Sequence, residues 1–117
     1  DFALVEGAGG WRVPISSRET MASLARELGY PVILVVGLRL GCINHALLTV
    51  EAIRRDGLKI AGWVGNQLSG EPMPYLDENI STLRSALDAP FVGVLPFDEK
   101  PDIKALGNVL DLNGLTV

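Results

Sequence analysis

Four short apolar runs constrain this chain more than anything else in it: Phe2–Val5, Val32–Val36, Ile60–Val64 and Phe91–Leu95. Each is rich in Val, Ile or Phe and mostly lacks polar alternation. Strands covered on both faces have this pattern, and such strands belong to parallel sheets flanked by helices. The gaps between the runs carry helical spacing. Met21, Leu24, Ala25 and Leu28 line one face of Thr20–Leu28, and Gly29 stops the pattern. Ile43, Leu47, Val50 and Ile53 mark a helix over Ile43–Arg55, ending near Asp56-Gly57. Leu76, Ile80, Leu83 and Leu87 mark another over Tyr75–Leu87. Its Asp77 and Glu78 suit the positive end of a helix dipole. Pro31 and Pro90 stand just before strands, where a missing N–H is tolerated. The order is β-α-β-α-β-α-β, which predicts an α/β fold with right-handed crossovers. Leu68–Pro74 reads as a loop, and the chain after Pro96 holds one short helical stretch near Asp102–Leu106.

Composition narrows the function classes. The 117 residues leave room for one domain, or for half of a larger one, and a 48% apolar content argues against disorder. A net charge of −4 without blocks of like charge disfavours a nucleic-acid surface, which needs a basic face. The single cysteine, Cys42, excludes an internal disulfide and a multi-cysteine metal site. No apolar run is long enough to span a membrane, so a reducing cytoplasm is the expected compartment. The chain opens inside its first apolar run without a Met. It is expected to be the second portion of a longer protein, with Leu112–Val117 as its ending.

Ligands of open parallel sheets sit at the carboxyl ends of the strands. The residues following the four runs therefore carry the functional expectations. Glu6-Gly7-Ala8-Gly9 combines an acid with backbone free to approach a ligand. Glu6 suits Mg²⁺, and the glycine turn suits phosphate or substrate oxygens; a tight turn with a solvated acid fits equally well. Gly41-Cys42-Ile43-Asn44 opens a helix whose free N–H groups suit a carboxylate or phosphate, although an ordinary Gly or Asn cap explains it too. His45 beside it is expected to be packed and hydrogen-bonded, and Cys42 to be a small buried hydrophobe. Asn66, followed by Gln67, offers a donor and an acceptor side by side, the pair that adenine N6 and N7 require, or else serves in a turn. Pro96-Phe97-Asp98 either lines the far side of a base pocket or merely ends a strand. Four such loops in strand order, at one edge of one sheet, point more strongly to a ligand site than any of them singly.

With those residues placed, the chain resembles the dethiobiotin synthetase family. The resemblance lies in VEGAGGWRVPIS (Val5–Ser16), PVILVVGLRLGCINHALLT (Pro31–Thr49), GWVGNQL (Gly62–Leu68), ENISTL (Glu78–Leu83) and VLPF (Val94–Phe97). EGAG by itself is shared with related P-loop proteins such as the cobyric and cobyrinic acid synthases. The pairing of EGAGGWRVPI with GLRLGCINHA is the specific signal. The resemblance implies a parallel-sheet, three-layer P-loop NTPase-like fold and an ATP-dependent cyclo-ligase of biotin biosynthesis. The family carboxylates 7,8-diaminopelargonic acid with CO₂. It phosphorylates the resulting carbamate with Mg-ATP and closes the cyclic urea of dethiobiotin.

By the same resemblance Glu6 is a Mg²⁺ ligand, and Glu6, Gly7, Ala8 and Gly9 border ATP. Asn66 and Gln67 read adenine. Pro96, Phe97 and Asp98 contact the nucleotide, and Asp102 stands more loosely for an acid near ribose or base. Gly41, Cys42, Ile43 and Asn44 hold the substrate's tail carboxylate across a homodimer interface. No G-x-x-x-x-G-K-[ST] phosphate loop occurs in these residues. The phosphate loop and the catalytic lysines are therefore expected before Asp1, with no catalytic residue in residues 1–117 and no turnover by this portion alone. The alternatives are a fragment of a cobyric or cobyrinic acid synthase-like amidotransferase, or a non-catalytic nucleotide-binding relative.

Overall fold

The computed structural model describes residues 3–115. Three of the four apolar runs form strands, and the α/β class stands. They are β1 (Val32–Leu38), β2 (Ile60–Gln67) and β3 (Phe91–Leu95), all parallel, in the spatial order β1-β2-β3. Helices α1 (Met21–Leu28), α2 (Cys42–Arg55) and α3 (Leu76–Ala86) alternate with them. A five-residue helix α4 (Ile103–Gly107) and a 3₁₀ turn at Leu112–Gly114 follow β3.

The first run departs from expectation. Ala3–Val5 form no strand, and Phe2 lies outside the described residues. Leu4 and Val5 are exposed instead. An apolar run becomes a strand only where a neighbour supplies its ladder, and none of the three strands pairs with it. The free side of β1 is open for the same reason. Val35, in mid-strand, is 60% exposed, whereas the middle of β2 is buried throughout.

Two strands run further than the apolar pattern suggested. β1 takes in Gly37-Leu38 and β2 takes in Gly65-Asn66-Gln67, with Gly37 beside Asn66 and Leu38 beside Gln67. The glycines just after the two apolar runs are places where a neighbouring side chain lies over the sheet. A Cβ on Gly65 would stand 3.0 Å from Leu38, and one on Gly37 would stand 3.0 Å from Leu68.

The core lies between the sheet and the α2–α3 layer. Val36, Leu38, Cys42, Ala46, Val50, Trp63, Leu83 and Leu87 form its centre. Trp63 is fully buried, with its ring 4.6 Å from that of Phe91, and its indole N–H has no acceptor. Ring burial has to outweigh that unmet donor. α2 buries Val50 and Ile53 as expected, but in its first turns Cys42 and Ala46 are the buried residues, with Ile43 only partly buried against the core. The small Cys42 and Ala46 let the helix lie close to the sheet, while Leu47 turns outward. Arg54 donates to the carbonyls of Leu87 (2.8 Å) and Asp88 (2.9 Å), tying the ends of α2 and α3 together. On the other face, Leu115 rests where a Gly62 side chain would project, next to Val92.

Helix ends follow local chemistry. Gly29 closes α1 in the left-handed region at φ 66°, its N–H donating to Ala25 O. Asp102 caps α4 by accepting from the amides of Lys104 (2.9 Å) and Ala105 (3.4 Å).

Candidate functional site

Three of the four loops meet at the carboxyl edge of the sheet. Register alone brings two of them together, because Asn66 pairs with Leu95, the residue before Pro96. Phe97 then lies beside Gly70, with its ring carbons 3.5–3.7 Å from where a Cβ would stand. Asn66 and Gln67 are half-buried, and Pro96, Phe97 and Asp98 are exposed. Side chains alternate along a strand, so Asn66 shares the face of Val64, while Gln67 shares the face of Trp63. The Asp98 carboxylate accepts from the Lys100 amide at 2.8 Å, which folds its loop back on itself. Asp102 spends its Oδ1 on the α4 cap.

The loop after β1 joins the same edge. Gln67 pairs with Leu38. Leu38, Arg39, Leu40, Gln67 and Leu68 line a hollow of about 160 Å³ with Glu71 and Met73. Gly41 turns the chain into α2 at φ 88°, a conformation that favours glycine. The Cys42 amide is used within the turn, donating to Arg39 O at 3.0 Å. The first bond of the helix proper is His45 N–H to Gly41 O at 3.1 Å, so the amides of Ile43 and Asn44 have no partner along the helix. They are the donors a carboxylate would meet. Cys42 itself is buried, as expected of a small hydrophobe. His45 corrects the expectation that it is packed: it is exposed and borders a cleft of about 340 Å³ between α2 and the free side of β1.

The first loop is held differently. Glu6, Gly7, Ala8 and Gly9 are all exposed. Gly7 sits close against Met21, the first residue of α1, where a Cβ would come within 3.0 Å of the side chain. Gly10 and Trp11 border the same cleft as Gly41 and Cys42. Trp11 Nε1 donates to Asp56 Oδ2 at 2.7 Å, and the Arg12 guanidinium spans both oxygens at 2.9 and 3.1 Å. Asp56 is the C-cap of α2, which runs antiparallel to β1, so this contact anchors the segment toward the sheet's amino end. Burial pushes the Asp56 pKa up. The hydrogen bonds from Trp11 and Arg12, with the charges of Arg12 and Arg26, outweigh that and hold it below its ordinary 3.8. Sequence reasoning missed this contact. Trp11, Arg12 and Asp56 were each visible, but nothing in a pattern joins residues 44 and 45 positions apart.

A lone exposed carboxylate such as Glu6 fits Mg²⁺ as one ligand among waters and phosphate oxygens, the usual manner of holding that ion. Among the described residues no group of three His, Cys, Asp or Glu side chains could hold a metal by itself, and no helix is long and apolar enough to cross a membrane.

A parallel α/β sheet with loops gathered at its carboxyl edge defines a class of α/β domain that binds its ligands at that edge. The chain belongs to the AAA domain family, which matches residues 1–104. It is 57% identical over 115 residues to the ATP-dependent dethiobiotin synthetase BioD of Cellvibrio japonicus (strain Ueda107), covering 98% of this chain and 50% of that protein. It is 53% identical over 117 residues to the protein of that name in Pseudomonas paraeruginosa, covering 100% of this chain and 51% of the relative. The counterpart in Ralstonia nicotianae is 50% identical over 112 residues, 96% of this chain and 48% of the relative. The chain spans about half the length of the curated relatives it matches.

Proposed function

We propose that this chain is the carboxyl-terminal portion of a P-loop-type domain. That domain makes dethiobiotin from 7,8-diaminopelargonic acid, CO₂ and ATP, as a magnesium-dependent cyclo-ligase of the cytoplasm. The observation that carries the reading is the shared carboxyl edge, where Asn66 lies beside Leu95-Pro96 and Gln67 beside Leu38, in a chain 57% identical to a named dethiobiotin synthetase. Asn66 and Gln67 read adenine there, with Pro96, Phe97 and Asp98 along the base and ribose. Asp102 stays nearby as the cap of α4. Glu6 is the magnesium ligand, and Gly7, Ala8 and Gly9 border the phosphates.

The unpaired amides of Ile43 and Asn44, after Gly41 and Cys42, take the tail carboxylate of a diamino acid. The positive end of α2 stabilises that charge without a competing base. The exposed start of α2, with Leu40 and Leu47 on the surface, supports a homodimer in which this helix serves the partner's site. Bound Mg-ATP supplies the phosphoryl group that activates the carbamate. The residues of this chain bind and orient, which is most of what phosphoryl transfer asks of a protein. The unpaired side of β1 supports the incomplete-domain reading, since strands of parallel sheets are normally covered by neighbours. On this reading residues 1–117 bind but do not turn over alone.

The test is Asn66→Ala in the full-length protein. Loss of a paired amide contact to a base is expected to raise the KM for ATP by roughly 5- to 150-fold, as about 1–3 kcal/mol of recognition is removed. KM values for GTP and CTP should change little. An unchanged preference for ATP over those triphosphates would make Asn66 a strand residue only.

A further inference from the structure

The Asp56 cluster has no role in the reading above, although both oxygens of its carboxylate are engaged. Its side chain is only 12% exposed, and it accepts from Trp11 Nε1 at 2.7 Å and from both ends of the Arg12 guanidinium. Among the described residues, these are the only side-chain hydrogen bonds that join residues 3–20 to α2 or the sheet. The carbonyls of Trp11 and Val13 then accept from the amides of Ala22 (3.0 Å) and Met21 (2.9 Å), so α1 starts from the same anchored point. Gly7 packs on Met21 in turn. The segment after Glu6 is thus held to the body at Asp56, in addition to the route through α1, whose Ala22 is buried and which continues into β1. The residues of the turn itself are exposed and add little hold of their own.

We propose that Asp56 is a positioning residue: through Trp11 and Arg12 it fixes where the Glu6–Gly9 turn sits beside the β1 cleft. This rests on the reading of Glu6 as the magnesium ligand. Asp56 touches neither substrate nor metal, and its effect travels through a bidentate Arg–carboxylate pair and an indole N–H, both geometrically strict contacts. The sheet core does not include Asp56, so its loss should leave the body folded. A carboxylate carrying a metal is sensitive to small displacements, and about 1 Å of misplacement costs on the order of a hundredfold in rate.

The test uses the full-length protein with Asp56→Asn, Asp56→Glu, Trp11→Phe, Glu6→Gln and the Glu6→Gln/Asp56→Asn double variant. Turnover, the magnesium concentration at half-saturation and thermal unfolding are read for each. Asp56→Asn is expected to lower kcat by on the order of a hundredfold and to raise the magnesium requirement, with the KM for ATP nearly constant. Trp11→Phe should cause a smaller loss of the same kind, and Asp56→Glu should recover part of it. The double variant should be no worse than Glu6→Gln, because both changes remove one function. A damaging Glu6→Gln beside an Asp56→Asn with normal kcat and magnesium dependence overturns the positioning role and leaves the metal role standing. A silent Glu6→Gln removes the metal role, and the inference with it. An Asp56→Asn loss that multiplies onto that of Glu6→Gln, or that appears only as a lowered melting temperature, makes Asp56 a structural anchor and overturns the proposal as well.

Discussion

Gly93→Ala tests the packing behind the candidate edge in a form that can be worked through in advance. Gly93 sits mid-strand in β3 at φ 146°, outside the range that residues with a side chain readily adopt. A Cβ there would stand 2.6 Å from the Val109 carbonyl oxygen and 3.2 Å from Leu110. The oxygen belongs to backbone that is itself tied down, since Asp111 N–H donates to Val92 O at 2.8 Å. The clash therefore cannot be relieved by rotating a side chain. Backbone strain of this kind costs about 1–3 kcal/mol, and forcing an extra methyl into packed surroundings costs about 1–3 kcal/mol more. The expected loss is about 2–6 kcal/mol, a large share of the roughly 5–15 kcal/mol that holds a domain together. Even the low end should depress the melting temperature by about 8 °C. Urea and thermal unfolding followed by tryptophan fluorescence report it, because Trp63 packs on Phe91 of the same strand. Gly107→Ala is the control. Its Cβ would meet nothing within 4 Å, and its φ lies outside the left-handed range, so a gain of about half a kcal/mol is expected. A Gly93→Ala loss below about 1 kcal/mol would refute the reasoning, because strain alone should exceed that.

Two further outcomes follow from other sites. Asp56 is held below its ordinary 3.8, so its contribution to stability is complete above that value and is lost as pH falls through the lower folded-state pKa. The stability gap between the wild type and Asp56→Asn, measured by denaturant titration, should be constant near neutrality and shrink below pH 3.8; a gap that widens in acid would reverse the assigned sign. Gly41→Ala should cost about 1–2 kcal/mol in unfolding experiments purely through its φ of 88°, since the site has open space around it. Gly41→Asn should cost less, and equal losses for the two would point to crowding instead of torsion.

The sequence made the helices and three of the strands legible because their signals are local. Gly29, Gly41, Asp56-Gly57 and Asp102 punctuate the chain through their own backbone chemistry. What was not legible depends on partners. Ala3–Val5 has the composition of a strand, but a ladder needs a second chain segment, and composition cannot supply one. β2 runs on through Gly65, past the apolar run that ends at Val64, because Leu38 lies over that glycine, which the sequence does not show. α2 buries Cys42 and Ala46 in preference to Leu47, because close approach to a sheet favours small residues over hydrophobic ones. For the site, the loops after β2 and β3 were expected at one sheet edge, and it is the register, which the sequence does not show, that sets Asn66 beside Leu95. The tie from Trp11 and Arg12 to Asp56 had no local mark at all.

The uncovered side of β1 also bears on how the chain behaves in company. Among the described residues no strand pairs with this side of β1, so the N–H and C=O groups beside Val35 are a template for an extended segment with a matching pleat. Natural edges are usually guarded by a charge, a proline or a bulge. Ile33–Gly37 contains no charged residue and no proline, and the only register shift of β1 comes before it, between Val32 and Ile33. On the incomplete-domain reading a seam this bare suits a further strand from the rest of the sheet, and that docking would respond weakly to salt, because no charges meet there. Placing a lysine at Val35 should hinder that docking, and unfolding of the full-length protein would report the loss.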